Sequence, residues 1–235
     1  AVGYDALESN TTGTQNVAVG ALALDDSTTA SFNTAVGYIA LGANTEGANN
    51  TAVGRNAAKA STTASNITAV GYNALNVNTA SGNTAVGASA LAANTSGSGN
   101  SAFGQSALDA NTTGNNNVAV GKDALGVNTT GDKNLALGAF ALDANTTADD
   151  NTAVGYGALT SNTTAAANTA IGKGTLGNNT TGANNTAVGY QALDSNQDGG
   201  QNVAVGYNCL GVNTASNNTA VGTNAASATT TGTQN

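Results

Sequence analysis

The sequence has no proline, tryptophan, methionine or histidine among its 235 residues, and it contains one cysteine, Cys209. The missing proline is typical of a chain whose backbone N–H groups enter hydrogen-bonded ladders, because proline has no N–H to donate. Without histidine and with one cysteine, the usual nucleophile–base pairs of covalent catalysis cannot form. We therefore expect no enzyme, no catalytic residue, no cofactor and no disulfide framework.

Charged residues are also scarce: they make up 8% of the chain, and the net charge is −8. Proteins that bind nucleic acid neutralise phosphates with lysine and arginine, so this charge argues against such a partner. No apolar run approaches the roughly 18 residues that cross a membrane, and we expect no membrane insertion of this segment. The many alanine, valine and leucine residues do not match the apolar-poor composition of intrinsic disorder.

One short unit is repeated along the whole chain, with the consensus N-T-A-V-G-Y-x-A-L-x-x-N-T-T-G-x-x. Successive units are 17 residues apart, except at two steps of 16. Alanine stands two residues before the central glycine in all fourteen copies, and leucine stands four residues after it in twelve. These repeat glycines are Gly3, Gly20, Gly37, Gly54, Gly71, Gly87, Gly104, Gly121, Gly138, Gly155, Gly172, Gly189, Gly206 and Gly222.

The length and composition of this unit predict the fold class. A helical repeat needs about 30 residues or more, whereas T-A-V favours a short strand and its Asn- and Gly-rich flanks are typical of turns. Identical segments that stack coil on coil pair in parallel, about 4.8 Å apart, with each asparagine over the next in an amide ladder. The sequence therefore predicts an all-β parallel β-solenoid of 14 coils. We expect a single repetitive rod over residues 1–235, an excerpt of a longer fibre protein.

The T-A-V strand is apolar on both sides, because successive side chains of a strand point in opposite directions. We predict that the valine and leucine of each unit share one core and that the alanine packs against neighbouring chains in a homotrimer. The opposite arrangement, with alanine inside the coil and valine at the interface, is also open. The predicted core includes Val19, Leu24, Val120, Leu125, Val188 and Leu193, and the predicted interface includes Ala18, Ala119 and Ala204.

The segments Asn16-Val17-Ala18-Val19-Gly20 and Asn202-Val203-Ala204-Val205-Gly206 resemble the N-x-V-A-I-G motif of trimeric autotransporter adhesin heads. The fuller repeat is similar to repeats of phage tail fibres and related bacterial surface fibres. This resemblance covers the whole chain and implies left-handed parallel β-rolls that interlock as trimers. The adhesin unit is commonly a few residues shorter, so we expect the coil of this chain to differ in shape from that of the adhesin heads.

Two surface features bear on possible binding functions. All six tyrosines directly follow a repeat glycine, and we call these residues the tyrosine file. The same position takes Arg55 and Lys173, so we expect amphipathic packing over the coil edge, with a row of aromatic rings for sugar contacts as the alternative. Acidic residues recur after the repeat leucine, but the calcium-binding G-G-x-G-x-D pattern is absent, so we expect a solvated turn and no metal site. The tyrosine file consists of Tyr4, Tyr38, Tyr72, Tyr156, Tyr190 and Tyr207.

The leading hypothesis is a structural one: the shaft or head of a trimeric viral tail fibre, extracellular or on the virion surface. The first alternative is a bacterial trimeric adhesin that binds a glycan or protein of a host surface. The second is an ice-binding β-solenoid, although the paired threonines of the repeat are adjacent and therefore point to opposite faces of a strand.

Overall fold

A computed structural model describes residues 1–228 and 230–232, and within these residues the secondary structure consists of strands and turns without a helix. Thirteen strands of three residues each coincide with the T-A-V segments, so the all-β prediction is confirmed. The strands are β1 (Val17–Val19), β2 (Thr34–Val36), β3 (Thr51–Val53), β4 (Thr68–Val70), β5 (Thr84–Val86), β6 (Ser101–Phe103), β7 (Val118–Val120), β8 (Leu135–Leu137), β9 (Thr152–Val154), β10 (Thr169–Ile171), β11 (Thr186–Val188), β12 (Val203–Val205) and β13 (Thr219–Val221).

The chain forms two compact units, Ala1–Asn116 with β1 to β6 and Asn117–Asn235 with β7 to β13. Within each unit, every strand pairs in parallel with the next strand along the chain. The register places each alanine beside the alanine of the next coil, as with Ala136 and Ala153. The prediction of a parallel β-solenoid with a repeat of about 17 residues is confirmed.

The two 16-residue steps keep this register, because Val70 pairs with Val86 and Val205 pairs with Val221. The missing residue comes from the N-T-T-G turn. In the shorter coil, Asn78 Nδ2 donates to the carbonyl oxygen two residues on, at 2.7 Å. In a full coil such as that of Asn94, the acceptor lies three residues on, at 2.9 Å. The turn therefore absorbs the deletion, and the sheet is unchanged.

The repeat alanine points into its own coil. Ala18 is 1% exposed, and Ala119 and Ala204 are 0% exposed within the single chain, so their placement against neighbouring chains is wrong. The physical reason is space inside the coil, where the register stacks alanine on alanine, as with Ala119 and Ala136 or Ala187 and Ala204. A position that accepts alanine alone in fourteen copies is a crowded interior position of the coil.

The residue after this alanine points outward, as alternation along a strand requires. Val19 is 40% exposed, and Val120 and Val188 are partly exposed, so the prediction that these valines lie in the core is wrong. The prediction that the repeat leucines lie in the core agrees with the structure, because Leu24, Leu125 and Leu193 are fully buried.

The buried leucines have an unusual backbone conformation. All twelve repeat leucines have a positive φ, between 50° and 57°, which is the left-handed region. That region costs an ordinary residue roughly 1–2 kcal/mol. Full burial of a leucine side chain contributes about 1.5–3 kcal/mol, so the burial offsets the conformational cost. After eleven of the thirteen strands, the turn is thus stable because it places a leucine in the core.

Cys209 replaces a core alanine of the repeat and is fully buried. Burial raises the pKa of its thiol, and the Sγ atom donates to the carbonyl oxygen of Ala220 at 3.2 Å. This cysteine is a small core residue.

Candidate functional site

The asparagine that opens the N-T-T-G turn forms a buried ladder from coil to coil. Asn162 Nδ2 donates to Asn145 Oδ1 at 3.1 Å, and Asn179 Nδ2 donates to Asn162 Oδ1 at 3.0 Å. The same Nδ2 of Asn162 donates to the carbonyl oxygen of Ala165 at 2.9 Å, which closes the turn. The predicted amide ladder is confirmed at these residues, and each amide both shapes its own coil and joins it to the next.

The asparagine before each strand also binds the next coil, but it does so through the backbone. Asn33 Oδ1 accepts a hydrogen bond from the Asn50 N–H at 2.9 Å, and Asn50 Nδ2 donates to the carbonyl oxygen of Ala64 at 2.8 Å. Where Ile67 takes this position, its N–H still donates to Asn50 Oδ1 at 3.1 Å. Sequence reasoning predicted amide stacking here and missed the bond to the backbone N–H.

Two serines interrupt the first ladder, at Ser27 and Ser61. Ser61 Oγ donates to the carbonyl oxygen of Asn78 in the next coil at 2.9 Å and does not reach back to Asn44 Oδ1. Within the described residues, Ser27 Oγ and Asn44 Oδ1 have no hydrogen-bond partner although both are buried. A buried polar atom without a partner costs about 1–3 kcal/mol, so these coils are weak points of the ladder.

We expect Ser61→Asn to stabilise the protein by about 1 kcal/mol, because the new amide can donate to Asn44 Oδ1 and accept from Asn78 Nδ2. Thermal and urea unfolding followed by circular dichroism measure the gain. The matched control is Ser96→Asn, at an exposed turn position, which should leave the free energy of unfolding unchanged. Equal effects of the two substitutions would contradict the role of the ladder.

The tyrosine file lies on the surface, and five of its six rings contact a cationic or aromatic side chain of an adjacent coil. The guanidinium of Arg55 lies 5.9 Å from the ring centroid of Tyr38 and 5.8 Å from that of Tyr72. The ammonium of Lys173 lies 5.8 Å from the ring of Tyr156 and 6.0 Å from that of Tyr190.

The rings of Tyr190 and Tyr207 stack on each other, with their centroids 5.5 Å apart and their planes at 7°. These contacts stabilise the coil edge through cation–π and aromatic attraction. The rings remain 42–75% exposed, so the use of the tyrosine file for sugar contacts stays a prediction.

A repeated surface feature of both units is the outer side of the strands, which we call the outer face: the first and third residues of each strand. These residues flank the buried alanine and are exposed or partly exposed in both units. No charged residue occupies either position in any coil. The first position is mostly threonine, and the third is valine or another apolar residue, such as Phe103 or Leu137 with 42% and 44% exposure.

No protein-family model, no curated protein and no solved structure matches the chain.

Few titratable or metal-ligating side chains lie close together in the part of the chain that the structure describes. Within residues 1–228 and 230–232, no group of three or more histidine, cysteine, aspartate or glutamate side chains could hold a metal ion. No helix long and apolar enough to cross a membrane is found among the same residues. Burial raises the pKa of Asp143 and Asp194, with the charge of Asp123 as a second cause for Asp143.

Proposed function

We propose that the chain is a structural segment of an extracellular fibre, the shaft or head of a trimeric viral tail fibre. The observation that carries this proposal is the outer face, which remains uncharged along every strand of both units. Uniform coils joined by buried amide ladders give a segment that extends by repetition. Such a segment needs an association surface that repeats with the same period, and the outer face has that period.

Three chains that pack their outer faces together would remove the exposed part of each valine from water. Exposure of 40% at Val19, 37% at Val53 and 36% at Val205 leaves apolar area that association can bury. Burial contributes about 25 cal/mol per Å² of apolar surface, and the contribution is repeated in each coil. In this proposal the trimer interface is therefore the valine and threonine surface. This is the alternative to the predicted arrangement, in which the alanines form the interface.

The test introduces charge on the outer face of the second unit. Val154→Lys combined with Val188→Lys should give a folded monomer, because association would bury two unpaired ammonium groups per chain. Both valines are partly exposed, so the single chain tolerates the substitutions.

The matched control is Thr130→Lys, which adds a charge at an exposed turn position and should leave assembly unchanged. Analytical ultracentrifugation of each variant beside the unmodified chain measures the mass. The proposal fails if the double variant has the same mass as the unmodified chain.

Ice binding is supported less well by the outer face. Threonine and valine do share one face in Thr34–Val36 and the three strands that follow, which gives a Thr-x-Val pattern. Bulky residues interrupt this pattern at Phe103 and at Leu135 and Leu137. A lattice-matched surface needs uniform side chains, whereas association between chains accepts such variation.

A further inference from the structure

The outer face of the second unit repeats with nearly the same side chains in every coil. Its strands β7 to β13 lie side by side in parallel register, and adjacent strands of a sheet are about 4.8 Å apart. Two identical faces of this kind can pack at several axial offsets, by which we mean the number of coils that one chain is displaced along the other. A uniform face specifies the offset weakly, so association through it needs a feature that distinguishes one coil from the rest.

One strand of the second unit departs from the pattern at both outward positions. β8 has Leu135 and Leu137 where most coils have threonine and valine, and we call these two residues the leucine pair. Leu137 is 44% exposed, and Leu135 is partly exposed. No other strand from β7 to β13 has a leucine at either position. The leucine pair therefore makes one coil of this unit bulkier on its outer side than the others.

The fold of the single chain does not require the leucine pair. Ala136, which lies between the two leucines, pairs in register with Ala119 and Ala153, as the alanines of other strands do with their neighbours. The strand Thr152–Val154 forms the same ladder in the next coil without a leucine. Packing inside the coil therefore leaves the size of these two outward side chains unexplained.

Charge cannot select the axial offset on this face. No charged residue occupies an outward strand position in any coil, whereas charged and polar side chains set the register of coiled coils. Threonine and valine both branch at Cβ, so exchanging one for the other hardly changes the shape of the face. A leucine side chain extends one carbon further from the backbone. Side-chain size is therefore the property that distinguishes β8 from its neighbours.

We propose that the leucine pair sets the axial offset at which identical chains associate, and that this offset is zero. The inference rests on the proposed association through the outer face, and the partner is a second copy of this chain. A closed trimer relates its chains by rotation alone, so all three lie at the same level, whereas any other offset gives an open-ended assembly.

The leucine pair favours zero offset through packing. At zero offset the pairs of all chains lie in one layer of the interface, and every other layer contains threonine- and valine-sized side chains. At an offset of one coil, the pair of one chain faces the coil of Val118 and Val120 or that of Thr152 and Val154. The bulky side chains then disturb two or three layers, and close packing is lost in each of them.

The experiment reads the axial offset from disulfide bonds between chains. Cys209 is first replaced by alanine, the residue of that position in most coils, so that each chain carries one introduced cysteine. One population has Val188→Cys and the other has Val205→Cys, at outward positions that pair in adjacent coils. The two populations are co-expressed and oxidised, and peptide mass spectrometry counts the linked pairs. Zero offset links identical positions, whereas an offset of one coil links position 188 to position 205.

We expect links between identical positions to predominate when the leucine pair is present. Leu135→Thr with Leu137→Val should keep the chains associated and raise the share of links between positions 188 and 205 by about fivefold or more. The variant gives β8 the sequence pattern of Thr152–Val154, so it is expected to fold.

Two further variants separate side-chain size from other effects. Val118→Thr changes an outward residue of β7 without changing its shape, and it should leave the pattern of links as it is. Adding Thr169→Leu and Ile171→Leu to the variant without the leucine pair places a new pair on β10. This transfer should restore the links between identical positions, because the offset depends on one bulky coil and not on its place in the unit.

The outcomes distinguish this inference from the proposed function. If the unmodified chain is a monomer, or if it associates without forming any link at positions 188 and 205, then association through the outer face is wrong, and the inference fails with it. If the chains associate and the variant without the leucine pair keeps the links of the unmodified chain, only the role of the leucine pair is overturned.

Discussion

Leu125→Asp should unfold the coils around residue 125, with a loss of about 3–5 kcal/mol in the free energy of unfolding, because it buries an unpaired carboxylate. Leu125 is fully buried, and its backbone N–H donates to the carbonyl oxygen of Ala141 in the next coil at 3.0 Å. The charge would therefore disturb the side-chain core and the backbone ladder at once. Thermal unfolding by circular dichroism and limited proteolysis measure the effect, with new cleavage expected near the substituted coil.

The same coil provides a matched control. Val127 lies two residues further on and is 45% exposed, so Val127→Asp adds the same group at the surface. Surface substitutions of this kind change stability by about 0.5 kcal/mol or less. If the two aspartates have equal effects, the assignment of the leucine to the core is wrong.

Ala119→Leu is the second substitution for which we expect a large loss of stability. Ala119 is 0% exposed and pairs in register with Ala136 of the next coil, so three added carbons have no space to occupy. Overpacking of a core typically costs about 1–3 kcal/mol, and the upper end is expected at a fully buried position such as this one. Urea unfolding of the purified variant gives the free energy directly.

Val120→Leu is the control, one residue further along the same strand. Val120 belongs to the outer face, where Leu137 occupies the equivalent position in the next coil. We expect its effect on the unfolding of the chain to be small. If Val120→Leu lowers the free energy of unfolding more than Ala119→Leu does, then Val120 faces the interior of the coil and Ala119 faces outward, contrary to this assignment.

The repeat period and the T-A-V segments were sufficient to predict the strands, their parallel pairing and the amide ladder, because identical units can stack in register in few ways. The direction of each strand's side chains could not be predicted in the same way. Both Ala119 and Val120 are apolar, so hydrophobicity does not distinguish the inner side from the outer. The better signal was size: the position that accepts only alanine faces the crowded interior.

Other features depend on geometry that composition does not reveal. Leucine rarely has a positive φ, so no residue preference predicted the left-handed turn at Leu125. The cation–π contacts had a sequence signal, since Arg55 stands one repeat after Tyr38 and one repeat before Tyr72.

The mass of the unmodified chain in solution tests the proposed fibre role most directly. Multi-angle light scattering over a dilution series should give three times 22.5 kDa at the higher concentrations. Because association buries the repeated outer face, the mass should fall only on strong dilution, as the trimer dissociates. A stable, folded particle of 22.5 kDa at every concentration would contradict the account.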